Sequence, residues 1–293
     1  MEEKEQLNWL SMAPYWRRQA ALQDKRTVDT GIWFLDSEEY NRWKANPGDI
    51  LWLQGISKSF NVSLRSPMSL IICNSGLWEI CSLVCHSSFY NRMILTSASS
   101  TVIRDLEGIC RLDPSKVFAY WYFEFGVNAT QSVDALSRSL IRQLSWSPLA
   151  SSITDLWKRN YHRGSQPDSE AILAVLDDVL SKISSQVYLV FDALDECPEN
   201  ESSKERGSFL ALLVGLLERH PSKVHILATS RPEEDIGQAL EKFSKVDLED
   251  CLADDVKRFV TASISQHLDK WDEEIKKLIL DTLLSFRERY VLY

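Results

Sequence analysis

Three apolar runs, separated by stretches with helical periodicity, constrain the fold of this chain more than any other feature. They are rich in β-branched and aromatic residues and span Val117–Phe123, Val187–Phe191 and Val224–Thr229. Near-continuous apolar runs of this length are typical of strands covered on both faces, and crossover helices are the connections that parallel pairing requires. The pattern therefore predicts an α/β fold: a parallel sheet with helices on both faces.

Two shorter runs extend this sheet. Ile50–Leu53 is a further strand candidate that stops at Gln54 and Gly55, and Val246–Leu248 is a candidate edge strand. The stretches between the longer runs predict amphipathic helices, because apolar residues recur in them at three- and four-residue spacing. These residues are Val133, Leu136, Leu140, Ile141 and Leu144 in one helix, and Ile172, Val175, Leu176, Val179 and Leu180 in another.

The chain divides into three parts by composition. Residues 1–24 are expected to form a helical lead-in, and residues 25–250 carry the alternating strands and helices. Residues 251–293 are charged and predict the start of a small helical annex. Its apolar stripes are Val256, Phe259, Val260 and Ile264, then Ile275, Leu278, Ile279 and Leu283. The sequence ends within this annex, which suggests a truncated chain.

Composition argues against several partners. With 33 basic and 42 acidic residues, the net charge of −9 does not favour nucleic acid or an anionic membrane. The charged N-terminus shows no secretory signal, and the longest apolar run, Phe209–Leu217, is too short to span a bilayer. We therefore expect a cytoplasmic protein with six reduced cysteines. Cys81, Cys85 and His86 lie close together in the sequence, but they lack a second ligand pair at zinc spacing, so they do not predict a zinc site.

An acidic group follows the second of the three runs. Val187–Phe191 ends at Asp192, and Asp195 and Glu196 come within four positions. This is the form of a Walker B element, in which a rigid strand presents a carboxylate to Mg²⁺, usually through water. Asp192 is the magnesium candidate, and Asp195 or Glu196 is the candidate to orient or deprotonate an attacking water. The alternative is a solvated acidic turn.

A basic residue follows the third run. Arg231 lies in Ser230-Arg231-Pro232, immediately after Val224–Thr229, where a cation would meet the terminal phosphate of a nucleotide bound across neighbouring strand ends. It is therefore a candidate catalytic residue. The alternative is a loop arginine paired with Glu233, Glu234 or Asp235.

Six motifs in consistent order, over roughly residues 25–265, carry a family resemblance. They are Asp29–Leu35, Ile50–Ile56, Tyr120–Phe123, Leu140–Leu144, Val190–Cys197 and Ala228–Pro232. The chain resembles the NACHT domain of fungal signalling NTPases, in the nephrocystin-3-like N-terminal subgroup (STAND class). The resemblance implies a P-loop NTPase-like fold, a switch driven by ATP or GTP with Mg²⁺, and self-association through this domain. It also implies C-terminal sensor repeats, which this sequence lacks.

The chain departs from that family at its phosphate-binding loop. The family continues from a strand like Ile50–Gln54 into G-x-x-x-x-G-K-[ST], so Gly55 is the candidate first glycine and a candidate nucleotide contact. The lysine and hydroxyl positions then fall on Asn61 and Val62, and none of the ten glycines precedes a lysine. Lys58 and Ser59 imitate the ending of the motif, but they lie too close to Gly55 to wrap a phosphate.

A foreign-looking segment occupies the place of the missing loop. Ser57–Arg92 contains nine serines, three cysteines and a single acidic residue, Glu79. The following stretch, Ile94–Leu106, again resembles the family helix that comes after the loop. The segment is therefore interpreted as a replaced loop, from a gene-model error such as a retained intron, or as a genuine insertion. We expect it to be poorly ordered or to lie on the surface.

These observations predict a NACHT-type nucleotide-binding signalling switch with weak or absent nucleotide binding and impaired catalysis. One alternative is an interaction scaffold that keeps the fold without using a nucleotide. The other is a fragment of a mis-spliced gene model, without a folded role.

Overall fold

The structure, a computed structural model, describes residues 2–11, 15–25, 31–55, 87–124, 126–127, 130–199 and 204–248. Near the C-terminus it describes 261, 264–265, 272–278 and 280–281. Most of the foreign-looking segment and most of the predicted annex lie outside the described residues. So do Cys81, Cys85 and His86, which the sequence analysis considered as metal ligands.

Five parallel strands form one sheet, as the apolar runs predict. They are β1 (Ile50–Gln54), β2 (Val117–Tyr122), β3 (Val187–Asp192), β4 (Val224–Ser230) and β5 (Ser244–Asp247). Their order is β2-β3-β4-β1-β5, and every neighbouring pair is parallel. The short fifth run, predicted at Val246–Leu248, forms β5 at Ser244–Asp247, which lies at an edge because β1 is its one partner among the described strands.

Ten α-helices in the described residues between 2 and 240 connect and cover the sheet. They are α1 (Glu2–Leu10), α2 (Tyr15–Lys25), α3 (Ile32–Leu35), α4 (Glu38–Ala45), α5 (Ser87–Leu112), α6 (Val133–Leu144), α7 (Ser151–Asn160), α8 (Ser169–Lys182), α9 (Glu205–Arg219) and α10 (Glu234–Leu240). The predicted amphipathic helices are α6 and α8, and the apolar run Phe209–Leu217 lies in α9. None of the described helices is long and apolar enough to cross a bilayer.

The two faces of the sheet carry separate cores, because side chains alternate along each strand. Ile50 and Trp52 face a core built with α1, α6, α7, α8, α9 and α10, whereas Leu51 and Leu53 face one built with α3, α4 and α5. The predicted apolar stripe of α8 is buried in full. An α/β fold with helices on both faces is thus confirmed.

The edge strand β2 is closed by a side chain rather than by another strand. Gln143 of α6 accepts a hydrogen bond from Tyr120 N–H at 3.0 Å and donates one to Tyr120 C=O at 2.9 Å. Its neighbour Arg142 donates to the carbonyls of Leu7 and Ser11 at the end of α1. The motif Leu140–Leu144 therefore closes an edge of the sheet and holds the N-terminal helix.

Helices α1 and α2 lie on opposite faces of the sheet. Helix α1 packs on α6 and α7, while α2 packs on α5 and β2. The short helix α3 begins after Gly31, whose φ is +76°, a conformation that favours glycine. A Cβ at Gly31 would also lie 3.3 Å from the Cα of Ala98, so glycine lets α3 and α5 approach closely.

Candidate functional site

The carboxyl ends of the strands bring the predicted site residues to one edge of the sheet. Strand β3 ends at Asp192 and β4 at Ser230, and these strands are parallel neighbours. On the other side of β4, Gln54 of β1 is in register with Ser230. Parallel sheets of this kind place their ligands at the carboxyl edge.

Asp192 is 2% exposed and accepts hydrogen bonds from three hydroxyl groups. Thr96 Oγ1 donates to Oδ2 at 2.8 Å, while Ser99 Oγ and Thr229 Oγ1 donate to Oδ1 at 2.5 and 2.8 Å. Thr96 and Ser99 lie one turn apart on α5, and Thr229 lies on β4. These three residues, called the hydroxyl shell below, satisfy both carboxylate oxygens of Asp192.

Burial raises the pKa of Asp192 above the ordinary aspartate value. The hydrogen bonds from the hydroxyl shell oppose this effect, and so does the positive charge of Arg18 on α2. The carboxyl group is thus held between desolvation, which favours its neutral form, and hydrogen-bond donors, which favour its charged form.

Asp195 and Arg231 bind one another. Asp195 accepts from the backbone N–H of Arg231 at 3.0 Å and from its Nε at 2.7 Å. The Asp195 side chain is 7% exposed and that of Arg231 is 40% exposed. The sequence analysis offered Glu233, Glu234 or Asp235 as loop partners for Arg231; the ion pair formed is with Asp195.

A turn joins Asp192 to Asp195 and Glu196. It begins at Ala193, whose φ is +60°, and continues as a 3₁₀ turn over Leu194–Glu196. Ala193 N–H donates to Thr229 Oγ1 at 3.1 Å, so Thr229 contacts both the carboxylate and the turn. Glu196 is 8% exposed, and its carbonyl accepts from Gln131 Nε2 at 3.4 Å.

Arg206 of α9 supports the same turn from outside. Its Nη1 donates to Asp195 C=O at 3.3 Å, and its Nε donates to Asp235 at 2.6 Å. The arginine therefore ties the turn after β3 to the start of α10.

Gly55 stands where β1 ends. Its N–H donates to Ser230 C=O at 2.9 Å, which continues the pairing of β1 with β4 by one residue. Trp52 Nε1 donates to Ser230 Oγ at 2.8 Å and fixes the same position. The chain beyond Gly55 enters residues 56–86, which lie outside the described residues. The expectation that Lys58 and Ser59 do not replace the loop therefore stays a prediction.

Helix α2 reaches this edge from the side of β2. Gln19 donates through Nε2 to Ser100 C=O at 3.2 Å and accepts through Oε1 from Tyr122 OH at 2.5 Å. Tyr122 is the register partner of Asp192, and Ser100 follows Ser99 of the hydroxyl shell. Gln19 thus links α2 to the strand and the helix that surround Asp192.

Sequence reasoning proposed Asp192, Asp195, Glu196, Arg231 and Gly55 as site residues; it did not name the hydroxyl shell or Gln19, which the structure places beside Asp192. The three-residue spacing of Thr96 and Ser99 was the available signal, since it places both hydroxyls on one side of a helix. These residues supply oxygen ligands and hydroxyl donors. Among the described residues, no three histidines, cysteines or carboxylates group closely enough to bind a metal by themselves.

This geometry defines an α/β domain with a polar site at the carboxyl edge of a parallel sheet. Among known protein families, the family model described as "Nephrocystin 3, N-terminal" matches residues 96–231 of this chain. The match supports the nephrocystin-3-like part of the resemblance, and it runs from Thr96 of the hydroxyl shell to Arg231. No curated protein and no solved structure matches this chain.

Proposed function

We propose that this chain is a signalling switch built on a NACHT-type nucleotide-binding domain, and that its nucleotide site is degenerate. ATP or GTP with Mg²⁺ would bind weakly at the carboxyl edge of the sheet, beside Asp192. The observation that carries the proposal is the hydrogen bond between Thr96 and Asp192. It joins a helix hydroxyl to a strand-end carboxylate at the edge where such sheets bind their ligands.

The side chains at this edge present oxygen atoms, which are the ligands that magnesium prefers. Mg²⁺ is commonly held by one or two carboxylates together with substrate phosphates. Asp192 and Thr96 would hold the ion, Asp192 through water, and Asp195 or Glu196 would orient the attacking water. When bound, the ion would neutralise charge on the phosphates.

Thr96 marks where the missing loop should end. In a phosphate-binding loop, the hydroxyl directly after the lysine lies on Mg²⁺. Thr96 has the hydroxyl and the contact with Asp192, yet Leu95 precedes it where the loop requires a lysine. The sequence analysis placed the end of the foreign segment at Arg92, but α5 begins at Ser87 and continues through Thr96. On this proposal the interruption would extend to residue 95, so Ile94 and Leu95, which the sequence analysis assigned to the helix after the loop, would occupy loop positions instead.

A second candidate function is a nucleotide-independent scaffold. The hydroxyl shell satisfies both oxygens of Asp192, and Asp195 is paired with Arg231. A site whose polar groups satisfy one another is stable without a ligand. The two candidates differ in what happens when a working loop is supplied.

The test compares the native chain with a repaired chain. In the repaired chain, residues 56–95 are replaced by four residues followed by Gly-Lys, so that Gly55 and Thr96 complete the loop. Several charge-assisted hydrogen bonds are missing from the native site, at roughly 1.5–3 kcal/mol each. We therefore expect native binding of fluorescent Mg·ATP or Mg·GTP in the millimolar range or weaker, and micromolar binding by the repaired chain.

Two matched controls accompany this titration. A repaired chain with Gly-Ala in place of Gly-Lys should bind weakly, and Asp192→Asn in the repaired chain should weaken Mg²⁺-dependent binding. If the repaired chain is folded by circular dichroism but binds no nucleotide, the proposal is wrong and the scaffold is favoured. Micromolar binding by the native chain would show that the site is not degenerate.

A further inference from the structure

Helix α2 is fixed beside Asp192 by buried contacts. Gln19 is 6% exposed and bridges Tyr122 and Ser100, both adjacent to the Asp192 site. Tyr15 adds an edge-to-face contact with Tyr120, with ring centroids 5.6 Å apart. The start of this helix therefore has a defined place relative to the carboxyl ends of β2 and β3.

Arg18 precedes Gln19 on this helix, and its guanidinium forms a weak ion pair. Its Nη1 lies 4.0 Å from Glu124, just beyond the end of β2, and its side chain is 34% exposed. A partly exposed pair at this separation contributes little to stability. Arg18 nevertheless belongs to this edge of the sheet, because its neighbour Gln19 is hydrogen-bonded to Tyr122, the register partner of Asp192.

Two arginines thus flank Asp192 along the edge of the sheet. Arg18 approaches from the β2 side, and Arg231 follows β4 on the other side. The two arginines differ in the length of their ion pairs: Arg231 lies 2.7 Å from Asp195, whereas Arg18 lies 4.0 Å from Glu124. Of the two, Arg18 is the one whose guanidinium can turn to a ligand at small cost.

We propose that Arg18 is a phosphate-binding residue of this site and contacts the di- or triphosphate of the nucleotide. A guanidinium presents a planar fork of donors that binds phosphate in a bidentate manner. Arg18 supplies a cation from the N-terminal helix, at a place separate from the loop, so its contact should persist when a loop lysine is restored. The inference rests on the proposed function, because it assigns a further residue to the same site.

Arg17 is the matched control, since it neighbours Arg18 on α2 and is exposed. Mg·ATP binding is measured for the native chain by thermal shift at millimolar nucleotide and for the repaired chain by fluorescence titration. The variants Arg18→Ala, Arg18→Lys and Arg17→Ala are compared in both chains. Melting temperatures without nucleotide report whether α2 stays docked.

We expect Arg18→Ala to weaken binding by the repaired chain about tenfold or more, the loss of a charge-assisted contact. Arg18→Lys should retain part of the affinity, and Arg17→Ala should bind like the parent. The thermal shift of the native chain should fall in the same order wherever the parent shows one.

Two results would overturn the role of Arg18 alone. One is nucleotide binding by the repaired chain that is unchanged in Arg18→Ala; the other is an equal loss in Arg18→Ala and Arg17→Ala, which would report only the charge of α2. A repaired chain that folds and binds no nucleotide would overturn this inference together with the proposed function. The experiment therefore distinguishes an error in the role of Arg18 from an error in the proposed nucleotide site.

Discussion

Asp192 is a buried carboxyl group whose three hydrogen-bond donors do not fully offset its desolvation. Because its pKa is raised in the folded protein, the folded state holds the proton more tightly than the unfolded state, whose aspartate pKa is about 3.9. Its contribution to stability is therefore fully present below that unfolded pKa and is lost as the pH rises through the folded pKa. At pH values above the folded pKa, the charged carboxylate lowers the stability of the folded state.

Asp192 variants test this directly. Asp192→Asn removes the charge and keeps an acceptor for Ser99 and Thr229, so its free energy of unfolding at pH 7 should equal or exceed that of the native chain. Asp192→Ala leaves three buried hydroxyls without their acceptor and should lower the free energy of unfolding by about 1–3 kcal/mol. Urea unfolding measures both. Equal destabilisation by the two variants would contradict this account of Asp192.

His225 provides a second prediction at this scale. It is fully buried, stacks on Tyr188 at 4.5 Å and lies with Nδ1 2.8 Å from Trp43 C=O. Burial lowers the pKa of His225 below its ordinary value. The unfolded chain therefore binds the proton more readily, and stability present above pH of about 6.5 is lost as the pH falls towards the folded pKa.

Urea unfolding at pH 7.5 and 5.5 checks the His225 prediction. His225→Phe should reduce the loss of stability between these pH values, by at most about 1.4 kcal/mol per unit of pKa shift. His220→Gln is the comparison, since His220 pairs with Asp177 outside the aromatic stack. An unchanged pH dependence in His225→Phe would assign the loss to other groups.

At the scale of elements, the outer edge of β2 is held by one side chain. This edge is closed at Tyr120 by Gln143, and unpaired edges of sheets promote association between chains. Gln143→Ala should lower the free energy of unfolding by about 1 kcal/mol, since the freed backbone groups can bind water. It should also increase aggregation, measured by light scattering, relative to Gln238→Ala, which alters an exposed residue of α10. Equal aggregation of the two variants would argue against an edge-closing role.

Helices and strands were predictable from the sequence where a single local pattern of apolar residues determines the secondary structure. The stripe of α8, from Ile172 to Leu180, matches its buried residues, and the run Val187–Phe191 became β3. The partners of Thr96 and Ser99 were not predictable in this way. Periodicity shows that both lie on one side of α5, but how α5 crosses the sheet decides which acidic residue they meet.

For the whole molecule, the sequence predicted a parallel sheet with Asp192, Asp195 and Arg231 at its carboxyl edge. It did not predict the strand order or the pairing of Asp195 with Arg231, because these depend on contacts between segments far apart in the chain. Nor did it predict that α2 would lie at the site. The residues around Asp192 come from α5, β3, β4 and α2, and no single stretch contains them.

The placement of α1 and α2 on opposite faces of the sheet has a consequence for synthesis. Gln6 and Ser11 bind residues 148 and 131 positions later in the chain, and Gln19 binds Tyr122 103 positions later. Isolated helices of nine and eleven residues are marginal in water, so neither has a stable place until those partners have been made. Neither helix can therefore dock when it is made: α1 waits for residues up to Thr154 and α2 for residues up to Tyr122. Helix α2 thus acquires both of its partners, Ser100 and Tyr122, before Asp192 itself has been made.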